Sequence, residues 1–162
     1  MKRISILIAV AMPLVVVPGG ALAGDAKIVP GTVCQALVGT SNTPDYIKGS
    51  YVHEASPPYV QNEVVCPIVR DASLLREVRV RVRHMNVGVS TATCRIYSRS
   101  DDGSDERRTE EQKYEVTSPN EIGSRDLSFD TDDLDHFGGG TFSVKCTLGP
   151  GFEIMSIRSS ED

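Results

Sequence analysis

The sequence has few of the residues that metal and redox sites require. It holds three histidines and four cysteines, and no pair of them has the short spacing typical of zinc ligands. There is no C-x-x-C redox pair, and no serine lies in a G-x-S-x-G nucleophile elbow. We therefore expect no cofactor and no enzymatic activity; a hydrolase that uses two carboxylates is the enzymatic alternative.

An excess of positive charge is also lacking. The chain has 17 basic and 22 acidic residues, a net charge of −5, which argues against general nucleic-acid binding. The charges are unevenly placed, because residues 70–99 hold seven arginines and residues 101–135 hold thirteen acids. We expect the two blocks to pair across neighbouring strands of one molecule, for instance the arginines of residues 79–83 beside Glu111, Lys113 and Glu115; self-association through the basic and acidic faces is the alternative.

No apolar run is long enough for a membrane span. The run from Ile4 to Val17 is interrupted by Pro13 and is shorter than the ~20 residues that a span requires. Lys2 and Arg3 precede it, and the small-x-small site Ala21-Leu22-Ala23 follows it. This pattern predicts a secretory signal peptide over residues 1–23, a single domain over residues 24–162, and a secreted or periplasmic protein.

The four cysteines predict two disulfides in an exported chain. Three connectivities are possible. Cys94 shares a predicted strand face with Ile96, and Cys146 alternates with Val144 and Leu148, so both thiols point into the core. We therefore predict a Cys94–Cys146 bond and, by remainder, a Cys34–Cys66 bond.

The clearest strand pattern lies between Glu77 and His84. The sequence E-V-R-V-R-V-R-H places valines on one face and arginines on the other, which indicates a half-buried strand. A second alternating run, Thr91 to Ser98, follows a turn-like segment, and we expect the two to form a hairpin. Similar runs elsewhere predict an all-β, antiparallel β-sandwich or jelly-roll-like domain of about eight or nine strands.

Several cysteine-containing segments carry a resemblance. They are Cys34 near the predicted mature terminus, Val64-Val65-Cys66-Pro67-Ile68-Val69-Arg70-Asp71, Cys94-Arg95-Ile96-Tyr97-Ser98 and Cys146-Thr147-Leu148-Gly149-Pro150. Their arrangement resembles that of a group of small secreted bacterial proteins of uncharacterised function. The resemblance implies export, two disulfides and a β-rich fold, and it implies no activity and no site residues.

Two surfaces are candidates for binding. The arginine row Arg79, Arg81 and Arg83 has guanidinium groups that bind carboxylates or sulfates of an acidic glycan in bidentate fashion. The tyrosines Tyr46, Tyr51 and Tyr59, on loops around Pro57-Pro58, are the second candidate, for a sugar or protein contact. Pairing of the arginines within the sheet and packing of the tyrosines onto it are the alternatives.

An acidic loop is the best metal candidate. It clusters four carboxylates, those of Asp130, Asp132, Asp133 and Asp135, and oxygen ligands of this kind suit calcium. The loop does not match the EF-hand pattern, so a solvated acidic loop is the expected interpretation. The sequence as a whole predicts a non-enzymatic binding or envelope-associated structural module with an unknown glycan or protein partner; a module that recognises acidic glycans is the more specific alternative.

Overall fold

The computed structural model describes residues 26–37, 45–47, 50–52, 62–70, 74–85, 88–132, 134 and 140–161, with the backbone alone for residues 45–47 and 50–52. The strands are β1 Lys27–Pro30, β2 Gln35–Ala36, β3 Asp45–Ile47, β4 Ser50–Val52, β5 Asn62–Ile68, β6 Leu75–Met85, β7 Ser90–Arg99, β8 Glu106–Arg108, β9 Gln112–Val116, β10 Ile122–Asp130, β11 Thr141–Leu148 and β12 Phe152–Glu161. A short 3₁₀ helix, Gly31–Val33, follows β1. In this described part of the chain, no helix is long and apolar enough to cross a membrane.

The strands form two six-stranded sheets. The first sheet has the order β10-β6-β12-β4-β3, with β1 also paired to β12, and the second has the order β2-β5-β11-β7-β8, with β9 also paired to β7. The strand pairs are antiparallel. The predicted all-β, disulfide-stapled class is therefore confirmed. More strands form than the eight or nine predicted, because five of them have only two to four residues, too few to give an alternating pattern.

The predicted hairpin between the valine–arginine strand and the next run is wrong. Strand β6 pairs with β10 and β12 in the first sheet, whereas β7 pairs with β11, β8 and β9 in the second. Each strand has one buried face, and local alternation cannot tell which sheet a strand joins. The two strands thus lie in opposite layers of the sandwich.

The core lies between the facing sides of the sheets. On β6 the predicted inner residues Val78, Val80, Val82 and His84 are all fully buried. The second sheet contributes apolar side chains that are also buried, namely Val64, Cys66, Ala92, Cys94, Ile96, Val144, Cys146 and Leu148. Burial of each large aliphatic side chain stabilises the fold by roughly 1.5–3 kcal/mol.

His84 lies within this apolar layer with one defined partner. Its Nδ1 is 2.8 Å from the backbone carbonyl oxygen of Glu121, so Nδ1 carries the proton and donates it. The imidazole ring lies 4.9 Å from the ring of Phe152. A histidine that is hydrogen-bonded and packed in this way fills a core position.

Both disulfides belong to the second sheet. Cys94 on β7 lies directly opposite Cys146 on β11 and is bonded to it. Cys34, which precedes β2, is bonded to Cys66 on β5. These are the two pairs predicted from the sequence.

A tight turn at residues 149–151 takes the chain from β11 in the second sheet to β12 in the first. The backbone N–H of Gly149 donates to the carbonyl oxygen of Thr91 at 2.9 Å. A Cβ on Gly149 would lie 2.9 Å from that same oxygen, so the close approach excludes a side chain. Gly151 has φ +78°, a conformation that favours glycine.

Candidate functional site

The outer side of the first sheet carries the predicted arginine row. Arg79, Arg81 and Arg83 point outward from β6, and each has an exposed fraction near one half. Strand β10 places Ser128, Asp126 and Ser124 opposite them, and β12 places Arg158, Ser156 and Glu153 on their other side. We call the surface of Arg79, Arg81, Arg83 and Arg158 the arginine face.

Arg158 joins this surface through an irregularity in β12. The register between β12 and β6 shifts between Ile154 and Ser156, which leaves Met155 as an extra residue. Beyond the shift, Ile157 faces the core and Arg158 faces outward, opposite Arg79. A bulge reverses the alternation of a strand, so uninterrupted alternation from Ile154 would have put Arg158 inside.

Three of the four arginines have a carboxylate partner. The guanidinium of Arg79 donates to both carboxylate oxygens of Glu77, at 2.7 and 2.8 Å. Arg83 pairs with Glu153, whose side chain is buried. The pairing of Arg81 is loose, with Nε 4.0 Å from Asp126 Oδ1.

Pairing of the row within the sheet is therefore observed, but with other partners than expected. The sequence suggested the strand of Glu111, Lys113 and Glu115 as the neighbour of the row. That strand, β9, pairs with β7 in the second sheet, and Glu111 binds Arg95 at 2.9 Å instead. The error has the same origin as the wrong hairpin, because β6 and β7 belong to different sheets.

The outer side of the second sheet holds a groove of about 440 Å³. It is lined by Leu37, Val65, Tyr97, Arg99, Glu106, Arg108, Thr141, Ser143 and Lys145, and we call it the Tyr97 groove. Tyr97 lies between Ser143 on β11 and Arg108 on β8, its direct neighbours in the sheet. An aromatic ring therefore lies at the centre of a polar, basic surface.

The charges around Tyr97 are only partly balanced. Arg99 lies 3.3 Å from Glu106, and Lys145 lies 3.1 Å from Glu63. Arg108 is exposed and has no ion pair with any residue that the structure describes. An acidic ligand group beside the tyrosine ring would give Arg108 a partner.

Sequence reasoning did not find this groove. The lining residues come from β5, β7, β8 and β11 and the segment after β2. No local pattern connects segments so far apart in the sequence, because their neighbourhood is decided by sheet order.

The other predicted site residues are described only in part. Tyr46 and Tyr51 were expected on loops, but they lie directly opposite each other on the paired strands β3 and β4, which are too short to give an alternating pattern. Tyr59 lies outside the described residues. Asp130 and Asp132 are exposed, and Asp130 Oδ1 accepts a hydrogen bond from the backbone N–H of Asp132 at 3.0 Å. Asp133 and Asp135 lie outside the described residues, so the calcium site stays a prediction.

In the part of the chain that the structure describes, the pKa values of three ionisable groups are shifted by their surroundings. Hydrogen bonds from the backbone N–H of Ser104 and from the hydroxyls of Ser100 and Ser104 lower the pKa of Asp102 to about 2. Burial raises the pKa of Tyr114, and the nearby carboxylate of Glu121 raises it further. The hydrogen bonds with Glu77 raise the pKa of Arg79.

The fold is similar to that of solved carbohydrate-active proteins. The chain superimposes with TM-score 0.51 and 11% identity on the CBM22-1 and GH10 modules of a Clostridium thermocellum endo-1,4-beta-D-xylanase complexed with xylohexaose, over 83% of this chain and 27% of that one. An Arthrobacter globiformis isomalto-dextranase gives 0.47 at 14% identity, over 85% and 23% of the chains. The xylan-binding module CBM86 of Roseburia intestinalis gives 0.45 at 11% identity, over 85% and 96%.

The first of these likenesses establishes a β-sandwich fold. This chain spans only about a quarter of the length of the first two proteins. No protein-family model matches the sequence, and no curated protein matches it. The resemblance to small secreted bacterial proteins therefore stays a prediction.

Proposed function

We propose that this protein is an exported carbohydrate-binding module that binds, without converting, a glycan carrying acidic groups in the Tyr97 groove. The observation that carries the proposal is the combination of a half-buried aromatic ring with a directly neighbouring arginine that has no ion pair with any described residue. Ligand sites are commonly concave surfaces that combine apolar contacts with a few polar groups that fix orientation.

The chemistry of the groove suits a sugar ring. The ring of Tyr97 offers an apolar face to the C–H groups of a pyranose, and its hydroxyl remains available for hydrogen bonding. Thr141 and Ser143 lie on β11 along one side, and their hydroxyls are both donors and acceptors. The guanidinium of Arg108 matches a carboxylate on the sugar.

Two further considerations support the proposal. The likeness to the xylanase modules complexed with xylohexaose suggests carbohydrate as the first ligand class to test. The two disulfides are typical of proteins in oxidising compartments, which agrees with the signal peptide predicted over residues 1–23.

Titration calorimetry of residues 24–162 with xylohexaose and with oligogalacturonates tests the proposal. We expect binding of oligogalacturonate, a loss of about tenfold or more in affinity for Tyr97→Ala, and near-retention for Tyr97→Phe, which keeps the ring. Arg108→Ala should weaken oligogalacturonate binding and leave any xylohexaose binding unchanged. Unaltered affinity in Tyr97→Ala would refute the site, and shortened oligosaccharides after incubation would refute binding without conversion.

A further inference from the structure

We infer that the arginine face is a second binding surface, on the opposite side of the sandwich from the Tyr97 groove, and that its ligand is a carboxylated polysaccharide. The feature that leads to this inference is the position of Arg158. It lies directly opposite Arg79 on the neighbouring strand, so that two like charges face each other across the sheet.

Such a pair weakens a sheet. Side chains of directly opposed residues have Cβ atoms about 4.5–5.5 Å apart, and like charges at this distance are unfavourable. Glu77 holds Arg79 with two hydrogen bonds, but Arg158 is exposed and has no ion pair with any of the described residues. A bound carboxylate between the two guanidinium groups would remove the repulsion.

The geometry of the face suits an extended polymer. Successive outward residues of one strand are about 6.6–6.8 Å apart, so Arg79 and Arg81 form a linear row, with Arg158 beside it. Serines flank the row on both sides, Ser124 and Ser128 on β10 and Ser156 and Ser160 on β12. Arginines bind carboxylates in bidentate fashion, and serine hydroxyls bind sugar hydroxyls, so the surface matches a polysaccharide with repeated carboxylates.

The arginines of the arginine face differ in how freely they can bind a ligand. Arg83 forms an ion pair with the buried carboxylate of Glu153. Breaking this pair would leave the buried charge of Glu153 unpaired. Arg81 has only the loose contacts to Asp126 at 4.0 Å and to the Ser124 hydroxyl at 3.4 Å. Arg158 and Arg81 are therefore the residues that a ligand can engage without breaking a close pair.

The test measures binding of polygalacturonate by affinity electrophoresis together with thermal unfolding. Arg158→Glu should weaken polygalacturonate binding about tenfold or more and at the same time raise the unfolding temperature, because the new carboxylate attracts Arg79 instead of repelling it. If Arg158 served only to stabilise the fold, Arg158→Glu would instead lower the unfolding temperature. Added salt should weaken the wild-type interaction, since charged contacts on a surface are screened.

Controls separate this surface from the groove and from net charge. Arg107→Glu on β8 makes the same change in net charge on the other sheet and should leave polygalacturonate binding intact. In a Tyr97→Ala background, which removes the groove as a second uronate site, Arg158→Glu should still weaken polygalacturonate binding, so failure of one site does not imply failure of the other. The inference would be overturned if Arg158→Glu bound polygalacturonate as tightly as the wild type, or if it unfolded at a lower temperature than the wild type. Equal binding of polyglutamate and polygalacturonate by the wild type would also overturn it.

Discussion

The two outer faces of the sandwich differ in shape and in chemistry although they rest on sheets of equal strand number. The arginine face presents a row of cations and serines along β6 and its neighbours. The opposite face presents one tyrosine in a groove of about 440 Å³. A row of cations suits repeated charges on an extended ligand, whereas an aromatic ring in a groove suits a single sugar ring.

The sheets also differ in how they are held together. Both disulfides belong to the second sheet, where Cys94–Cys146 joins β7 directly to β11, two of the strands that line the Tyr97 groove. The described part of the first sheet contains no cysteine and depends on the packing of its valine and isoleucine side chains. The second sheet therefore carries covalent cross-links, whereas the described part of the first sheet has none and is held by packing, strand pairing and ion pairs.

Removing the Cys94–Cys146 bond should have the largest effect. The bond spans 52 residues, and in the chain-entropy model a loop of this length contributes about 4 kcal/mol. We expect Cys94→Ala/Cys146→Ala to lose about that free energy of unfolding in urea denaturation, and Cys34→Ala/Cys66→Ala slightly less. A loss below about 1 kcal/mol would mean that the second sheet does not depend on its covalent bonds.

A core truncation in the first sheet should have the next largest effect. Ile157 is fully buried, opposite Val80, and lies just beyond the bulge. Ile157→Ala should cost about 3 kcal/mol, from lost burial and the cavity left behind, as measured by urea denaturation. Ile28→Ala on the same sheet is the matched control, because Ile28 is 69% exposed and should change stability by less than about 0.5 kcal/mol. Equal effects of the two changes would contradict the assigned faces.

Gly149 connects the two sheets, and its replacement tests whether they depend on each other. An added Cβ would lie 2.3 Å from Ser90 Oγ as well as 2.9 Å from Thr91 O, so Gly149→Ala should cost about 2 kcal/mol through overpacking. Gly103→Ala is the control, since a Cβ there meets nothing within 4 Å and only its positive φ is strained. We expect thermal unfolding to show a clearly smaller loss for Gly103→Ala, of about 1 kcal/mol.

The sequence predicts the inner and outer faces better than it predicts their surroundings. The alternation of Val78, Val80 and Val82 identifies the buried side of β6, and Cys94 and Cys146 were placed in the core in the same way. These are local properties, because successive side chains of a strand point in opposite directions. Face assignment therefore needs only a few neighbouring residues.

Sheet membership and site composition could not be predicted in this way. Whether β6 joins β7 is decided by contacts between distant segments, and both strands look alike locally. The outward position of Arg158 requires an extra residue at Met155, and simple alternation gives no sign of it. Arg158 and Arg108 were missed because each becomes a candidate binding residue only through its neighbour in the sheet. Arg158 lies opposite Arg79, and Arg108 lies opposite Tyr97.

Acid should affect the turn beside the groove through Asp102, with the smallest expected effect. Asp102 Oδ1 accepts hydrogen bonds from Ser100 Oγ at 2.7 Å and from the Ser104 N–H and Oγ at 3.0 and 2.7 Å, which lowers its pKa from 3.8 to about 2. Because the pKa is lower in the folded state, the carboxylate stabilises the turn above pH 3.8, and this contribution is lost as the pH falls toward 2.

NMR titration of the Asp102 carboxyl carbon checks this prediction. Its midpoint should lie near pH 2 in the wild type and move upward toward 3.8 in Ser104→Ala, because that change removes the Oγ donor and leaves the backbone N–H in place. The turn joins β7 to β8, where Arg99 lies opposite Glu106 at the border of the groove. Loosening of the turn should therefore alter the amide signals of Arg99 and Glu106 before those of Arg79 and Arg158. A wild-type midpoint near 3.8 would contradict the hydrogen bonding of the Asp102 carboxylate. Simultaneous changes on both faces would show that the turn does not act on the groove alone.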